Sequence, residues 1–312
     1  MGGPLLLGIE IGGTKLQLGL GRGDGHLLAL ERRTVTTANR AEGIRDQILK
    51  AMPRLLGDRR EGIQAVGIGF GGPVDATRGV VTLSNHIEGW AGFPLVDWAV
   101  RALGVPLVAL QNDADTAALG EARFGAGVGV SPVLYVQVGS GIGGGLVVNG
   151  TIYRGGGLGA VEIGHLLIDD SASLEAVASG WSIGREARER IQGRDGILLD
   201  LAGGDPSRIN AMMVGQAASA GDPVAIEVLA RATTAMGRVL AHAVTLLSPR
   251  RVILGGGVSL MGDKLWFDPI REATDRRVFP PFRATYEIVP ADLGEEVVIH
   301  GALALAADAI EG

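Results

Sequence analysis

The chain has no cysteine in 312 residues. That excludes disulfides, thiolate zinc sites, iron–sulfur clusters and a thiol nucleophile, and it fits a cytoplasmic protein. It has no basic excess: 28 Lys and Arg stand against 34 Asp and Glu, for a formal net charge of −6. A mildly acidic chain is a poor starting point for a nucleic-acid binder. No apolar run reaches the ~18 residues of a membrane span, and no basic segment precedes an apolar one at the N-terminus, so neither membrane insertion nor a secretory leader is expected. Low-complexity linkers and long charge runs are also missing. What is present is globular. Apolar residues make up 46%, charged residues 20%, and the mean hydropathy is +0.28. This length suggests two domains or one large one. Glycine is the outlier, with 51 residues, more than twice the average usage of ~7%. Glycine serves where backbone turns sharply or approaches a ligand closely, so its placement carries the information.

The pattern alternates strands and helices. Leu5 to Ile11, Lys15 to Leu20 and His26 to Val35 read as a three-stranded meander joined by Gly-rich turns. Residues 40–56 have helical spacing. Ala65 to Phe70 is a buried strand closed by Gly71-Gly72-Pro73, Leu95 to Leu103 a helix, and Val105 to Leu110 an apolar strand running into Asn112-Asp113. Ala114 to Phe124 is a helix. The opening then recurs: Val133 to Val138, the turn Gly139-Ser140-Gly141, and Ile142 to Val148 repeat strand, Gly-rich turn, strand. Two such units predict a duplicated α/β architecture with two domains facing each other across a cleft. The second half is helix-rich, with helical spacing over Leu174 to Ile191, Ser207 to Ala220 and Pro223 to Leu247. A short strand, Arg251 to Leu254, ends in Gly255-Gly256-Gly257, and Val297 to Ile310 closes the chain as a small-residue helix.

Nucleotide phosphates need donors that approach without an intervening side chain, and backbone N–H groups of Gly-rich turns supply them. Gly12-Gly13-Thr14-Lys15 is not a Walker loop, because the order is Thr-Lys and a strand follows where a helix should begin. The Rossmann reading of Gly139-Ser-Gly-Ile-Gly fails for the same reason. What remains is a pair of hairpin turns able to hold phosphates. Either turn alone is equally well an ordinary tight hairpin. The pairing, and the third cluster at Gly255 to Gly257 after a buried strand, favour a nucleotide site.

Asp113 follows an apolar strand and opens a helix, where ligands of α/β sheets gather. It can take a proton from an attacking hydroxyl, or Asn112 and Asp113 can simply cap the helix. Glu162, His165 and Glu175 suit a polyhydroxylated ligand, since each hydroxyl can donate to a carboxylate. Singly, a helix-dipole Glu and a satisfied core His explain them as well.

Taken together, these residues resemble the ROK family (repressor, open reading frame, kinase) of the actin-like ATPase fold, over essentially the whole length. The resemblance is carried by Gly8-Ile-Glu-Ile-Gly-Gly-Thr-Lys15, Gly67-Ile-Gly-Phe-Gly-Gly-Pro-Val-Asp75, and Asn85 through Gly89-Trp90-Ala-Gly-Phe-Pro-Leu95. Asn112-Asp-Ala-Asp-Thr-Ala-Ala-Leu-Gly-Glu121, Gly139-Ser-Gly-Ile-Gly-Gly-Gly145 and Glu162-Ile-Gly-His165 complete it. It implies a two-domain α/β fold of the duplicated ribonuclease H-like type. The expected division is a smaller domain of residues 1–115 plus 297–312 and a larger one of 116–296. It implies ATP-dependent phosphorylation of a hexose hydroxyl, commonly O6, of the glucokinase kind. Carried over, Asp113 is the base. Asn112, Glu162, His165 and Glu175 hold sugar hydroxyls, and Gly72 and Asn85 line the sugar side. Gly12, Gly13, Thr14 and Lys15, with Ser140 and Gly141, meet the phosphates, and Gly256 and Gly257 lie by the nucleotide. Glu10 stands where many relatives carry Asp and would help place Mg²⁺ through water.

The chain also departs from the family. Many relatives hold a structural zinc with the His of the Glu-Ile-Gly-His motif and three cysteines. Here the segment from His165 to Leu174 is short and has none, so no structural zinc is expected and Asp169 and Asp170 read as a solvated loop. Gly71 replaces a common Pro, and Val161 a smaller residue. The shared motifs leave other sugars open: N-acetylmannosamine, N-acetylglucosamine, fructose or allose. A reading of a different class is a non-catalytic sugar sensor. ROK repressors place a helix-turn-helix ahead of the kinase-like region, and a first strand beginning by Leu5 leaves no room for one. A homodimer is expected from the family alone.

Overall fold

The computed structural model describes residues 3–36, 40–59, 62–84, 87–156, 159 and 161–312. The chain opens with β1 (Leu6–Ile11), β2 (Lys15–Gly21) and β3 (Leu27–Thr34), then α1 (Arg40–Leu56) and β4 (Ala65–Phe70). A two-residue ribbon, β5 (Val74–Asp75) and β6 (Val80–Val81), precedes α2 (Leu95–Leu103), β7 (Leu107–Asn112) and α3 (Asp113–Phe124). The second half runs β8 (Val133–Val138), β9 (Ile142–Val148), β10 (Thr151–Ile152), α4 (Leu174–Ala178), α5 (Gly180–Arg190), α6 (Ile197–Leu201), α7 (Ala211–Ser219) and α8 (Pro223–Leu247). It ends with β11 (Arg251–Gly255), α9 (Asp268–Asp275), β12 (Glu287–Pro290) and α10 (Val297–Glu311). No helix among the described residues is long and apolar enough to cross a membrane.

The chain forms two compact units. The first is Met1–Val130, Gly145–Ala160 and Asp292–Gly312, and the second is Ser131–Gly144 and Val161–Ala291. In the first, the strand order is β3-β2-β1-β4-β7. The first three strands form the expected antiparallel meander, and β4 and β7 continue it in parallel. Every residue of β1 and β4 is buried, as strands covered on both faces require. One cover is α1, through Ile44, Ile48, Ala51 and Leu55 at helical spacing. The other is α10, which packs on β1, β4 and α3. Glycine permits that approach: a Cβ on Gly67 would lie 1.8 Å from the carbonyl oxygen of Ala302, and one on Gly301 1.8 Å from that of Thr116.

The second sheet runs β10-β9-β8-β11-β12. In the second unit β8 and β12 flank β11 in parallel. The apolar run at 105–110 predicts a strand two residues too early. Its register with β4 pairs Ala65 with Leu107 and carries β7 on to Asn112. The helical pattern over Leu174 to Ile191 breaks at Ser179, which is extended (φ −68°, ψ 156°). The break has a cause: Gly180 donates its N–H to the Gly139 carbonyl at 2.8 Å, and a continuous helix would withdraw it. Ser179 then caps α5 by accepting from the Ser182 N–H at 3.2 Å.

Candidate functional site

In the first unit, three strand ends lie in one row. Ile11 pairs with Phe70, and Phe70 with Asn112. The residues that follow them are therefore brought side by side: the Gly12-Gly13 turn, Gly71-Gly72, and Asp113. The Gly71 N–H donates to the Ile11 carbonyl at 2.8 Å, and Asn112 Nδ2 to the Gly72 carbonyl at 3.1 Å. A Cβ on Gly71 would lie 3.3 Å from both Asp113 Oδ2 and Gly12 Cα. Asn112 does cap α3, its Oδ1 accepting from the Ala114 N–H at 2.8 Å. Asp113 Oδ1 accepts from the same N–H at 2.9 Å, which leaves Oδ2 towards Gly71. Both neighbours therefore meet the first turn of α3, and Asp113 keeps one carboxylate oxygen clear of it.

Glu10 lies buried on β1, opposite Gln17. Its Oε1 is 3.1 Å from the Lys15 ammonium, and its Oε2 accepts from Gln17 Nε2 at 2.7 Å. Burial pushes the Glu10 carboxyl up, against the pull of Lys15. Asp113 keeps some surface exposure as a residue, yet desolvation of its carboxyl, aided by the charge of Glu10, pushes it up to about 6. Lys15 is engaged with Glu10 and with the Glu295 carbonyl, at 3.1 Å each. Gly13 and Thr14 are exposed, and the Gly12 N–H closes the turn on the Lys15 carbonyl at 2.9 Å. Asn85 lies outside the described residues.

In the second unit, Gly139-Ser140-Gly141 joins β8 to β9, with Ser140 exposed. Glu175, in the first turn of α4, accepts the Ile142 N–H through Oε2 at 2.7 Å. Glu162 precedes a short 3₁₀ turn and His165 ends it, and both expose their side chains, with His165 Nε2 4.0 Å from Glu162 Oε2. Gly164 has no room for a side chain, since a Cβ would meet the Ile142 carbonyl oxygen at 2.2 Å. Gly256 takes φ +85°, which lets it pass the end of β8; a Cβ there would lie 2.4 Å from the Val138 carbonyl oxygen.

A pocket of about 790 Å³ in the second unit begins at these turns, lined by Gly139, Ser140, Trp181, Met212, Gly257 and Met261. Its size is that of a small-molecule site. Trp181, Met212 and Met261 escaped the sequence reading. Their spacing reads as helix, and only the structure turns Trp181 outward, 59% exposed, with the Arg185 guanidinium 5.2 Å from its ring.

The segment after His165 is a small hairpin. Leu167 bridges Ser173. Asp169 Oδ1 accepts from the Ser171 and Ala172 N–H groups at 2.8 and 2.9 Å. Arg238 Nη1 donates to the Ile168 carbonyl at 2.5 Å. Among the described residues, no three His, Cys, Asp or Glu side chains are grouped to hold a metal ion.

The ROK family profile matches residues 6–309. The chain is 33% identical to a glucokinase of Thermotoga maritima, over 98% of each chain, and 34% identical to a glucokinase of Streptomyces coelicolor, over 97% of each. Among solved structures, it is similar to a ROK family glucokinase from Streptomyces griseus in complex with glucose and AMPPNP. That likeness has a TM-score of 0.84 and 33% identity, and covers 97% of this chain and 99% of that one. A ROK hexokinase from Thermus thermophilus gives 0.82 and 29%, covering 98% and 99%.

Proposed function

The chain belongs to the ROK family, and on that premise we propose that it is an ATP-dependent hexose kinase of the glucokinase type. Its two sheets with flanking helices have the fold of ROK sugar kinases, the actin-like ATPase fold. Glucokinases match it at 33–34% identity over nearly full length, and the similar Streptomyces griseus enzyme was solved with glucose and an ATP analogue. The observation that carries the reading is Asp113, an acid at the aligned strand ends whose carboxyl is pushed up to about 6. A base serves best when its pKa lies near the working pH.

In this reading a sugar hydroxyl oxygen attacks the γ-phosphorus of ATP. The new O–P bond forms as the bond to the ADP oxygen breaks, and the hydroxyl proton passes to Asp113. Phosphoryl transfer depends chiefly on positioning and charge. Asn112, Glu162, His165 and Glu175 hold hydroxyls, with Gly72 and Asn85 beside the sugar. The turns at Gly12-Gly13-Thr14 and Ser140-Gly141 take phosphates, and the pocket beside Gly256 and Gly257 takes the adenosine. Lys15 acts from behind its turn, by holding Glu10. Mg²⁺ fits the donor set: burial, and after it the charge of Glu10, raises Asp113, so a cation there would relieve two carboxylates, and Mg²⁺ commonly uses one or two carboxylates, waters and substrate phosphates. Glu10 would hold it through water, where it would neutralise phosphate charge. The mildly acidic net charge speaks against nucleic-acid binding, and the family supports a cytoplasmic homodimer.

The test is ADP release over a sugar panel with Mg-ATP, including glucose, N-acetylmannosamine, N-acetylglucosamine, fructose and allose. Turnover of at least one hexose is expected, and Asp113→Asn should lower it at least ~10²-fold. Full activity in that variant would remove the base assignment. Tight sugar binding without turnover would favour a sensor.

A further inference from the structure

Glu175 serves two elements of the second unit at once. It stands in the first turn of α4, and its Oε2 accepts the Ile142 N–H at 2.7 Å. Ile142 is the first residue past Gly139-Ser140-Gly141. A carboxylate–amide bond of this length is charge-assisted, roughly twice as strong as a neutral one. The turn is shaped around it, since a Cβ on Gly141 would lie 2.6 Å from the same oxygen. The other end of the turn is held by the same segment, because Gly180 donates its N–H to Gly139 at 2.8 Å. Ser182 Oγ, in α5, donates in turn to the Glu175 carbonyl at 2.8 Å.

We propose that Glu175 is a positioning residue coupling hexose binding to nucleotide binding: Oε2 braces the phosphate turn while Oε1 takes a sugar hydroxyl. The proposal rests on the reading above of Glu175 as a sugar ligand. The Glu175 carboxylate is partly buried and held through one oxygen only, so its plane is left to be fixed through the other. A hydroxyl donating to Oε1 fixes its plane and keeps Oε2 on the Ile142 N–H, so the turn's amides are ordered before phosphates arrive. Ordering achieved by the first ligand is not repeated by the second, which is positive cooperativity. Linkage makes it reciprocal, and a coupling of about tenfold is of the usual size.

The full-length protein is titrated calorimetrically with Mg-AMPPNP, with and without saturating glucose, and amide exchange is followed at Ile142. Wild type should bind AMPPNP about tenfold tighter with glucose. Glu175→Ala should weaken glucose binding, bring that ratio near one and speed Ile142 exchange in the ligand-free protein. Glu175→Gln keeps a carbonyl oxygen for Ile142 and should retain its protection. His165→Ala should weaken glucose yet keep the ratio at saturation. If Glu175→Ala fails to fold, Glu175→Asp, one methylene too short to span both partners, decides in its place. A wild-type ratio of one overturns the proposal. So does a Glu175 variant with weakened glucose binding but an unchanged ratio, and there the sugar reading survives. Unchanged glucose affinity in that variant instead removes the sugar reading itself, and the coupling with it.

Discussion

Asp113 combines two properties that oppose each other. Desolvation and the charge of Glu10 push its carboxyl up to about 6, which suits a base and burdens the fold. An acid raised in the folded state binds protons more tightly there than in the unfolded chain. Its favourable contribution is therefore full below the unfolded value, near 3.8, and is lost as pH rises through about 6. Two outcomes follow at this residue. The kcat/KM for sugar should fall about tenfold per pH unit below about 6, checked by a pH–rate profile; a limb near 4 would mean an unperturbed carboxylate. Asp113→Asn should raise the thermal midpoint at pH 8 and lose that advantage at pH 4, checked by melting both proteins at the two values. The sequence marked this residue by type and position, but its raised carboxyl comes from burial by the surrounding chain and then from the charge of Glu10, which spacing does not encode.

At the scale of elements, glycine placement decides how closely helices and strands approach. Helix α10 lies against α3 with the Gly301 Cα facing the Thr116 carbonyl. Gly301→Ala would gain up to ~1 kcal/mol of helix propensity. The added carbon would sit 1.8 Å from that oxygen, and overpacking of this kind costs about 3 kcal/mol. The clash wins, so the thermal midpoint should fall, as calorimetry can measure; an unchanged midpoint would mean that α10 shifts freely. Glu121 shows what the sequence conceals. It reads as a polar residue of a motif, yet it is fully buried and accepts the N–H groups of Asp292 and Leu293 through Oε1 and of Ala126 through Oε2. These partners lie beside the points where the first unit's segments end and resume. The break between α4 and α5 was equally hidden, because Ser179 and Gly180 answer to Gly139, about 40 residues earlier.

For the whole molecule, the trimmed hairpin after His165 sets an expectation about metals. Leu167–Ser173 pairing, the Asp169 turn and Arg238 brace it with hydrogen bonds. A structural metal contributes folding energy, so removing one lowers stability. Here chelation should leave the thermal midpoint unchanged while abolishing turnover, and Mg²⁺ alone should restore it. Elemental analysis should find no stoichiometric zinc; one zinc per chain would overturn this account of the hairpin.

The sequence by itself determined the strands, most helices, the glycine turns and the family, because these depend on local periodicity and on short motifs in order. It also supplied Asp113, Glu162, His165 and Glu175 as chemical types. Only the tertiary structure decided which candidate side chains are engaged: Lys15 with Glu10, Asn112 as the cap, Glu175 with Ile142. It alone assembled the pocket of Trp181, Met212 and Met261. The reason is that pairing and desolvation arise from contacts between segments far apart in the chain, whose energies no local pattern records.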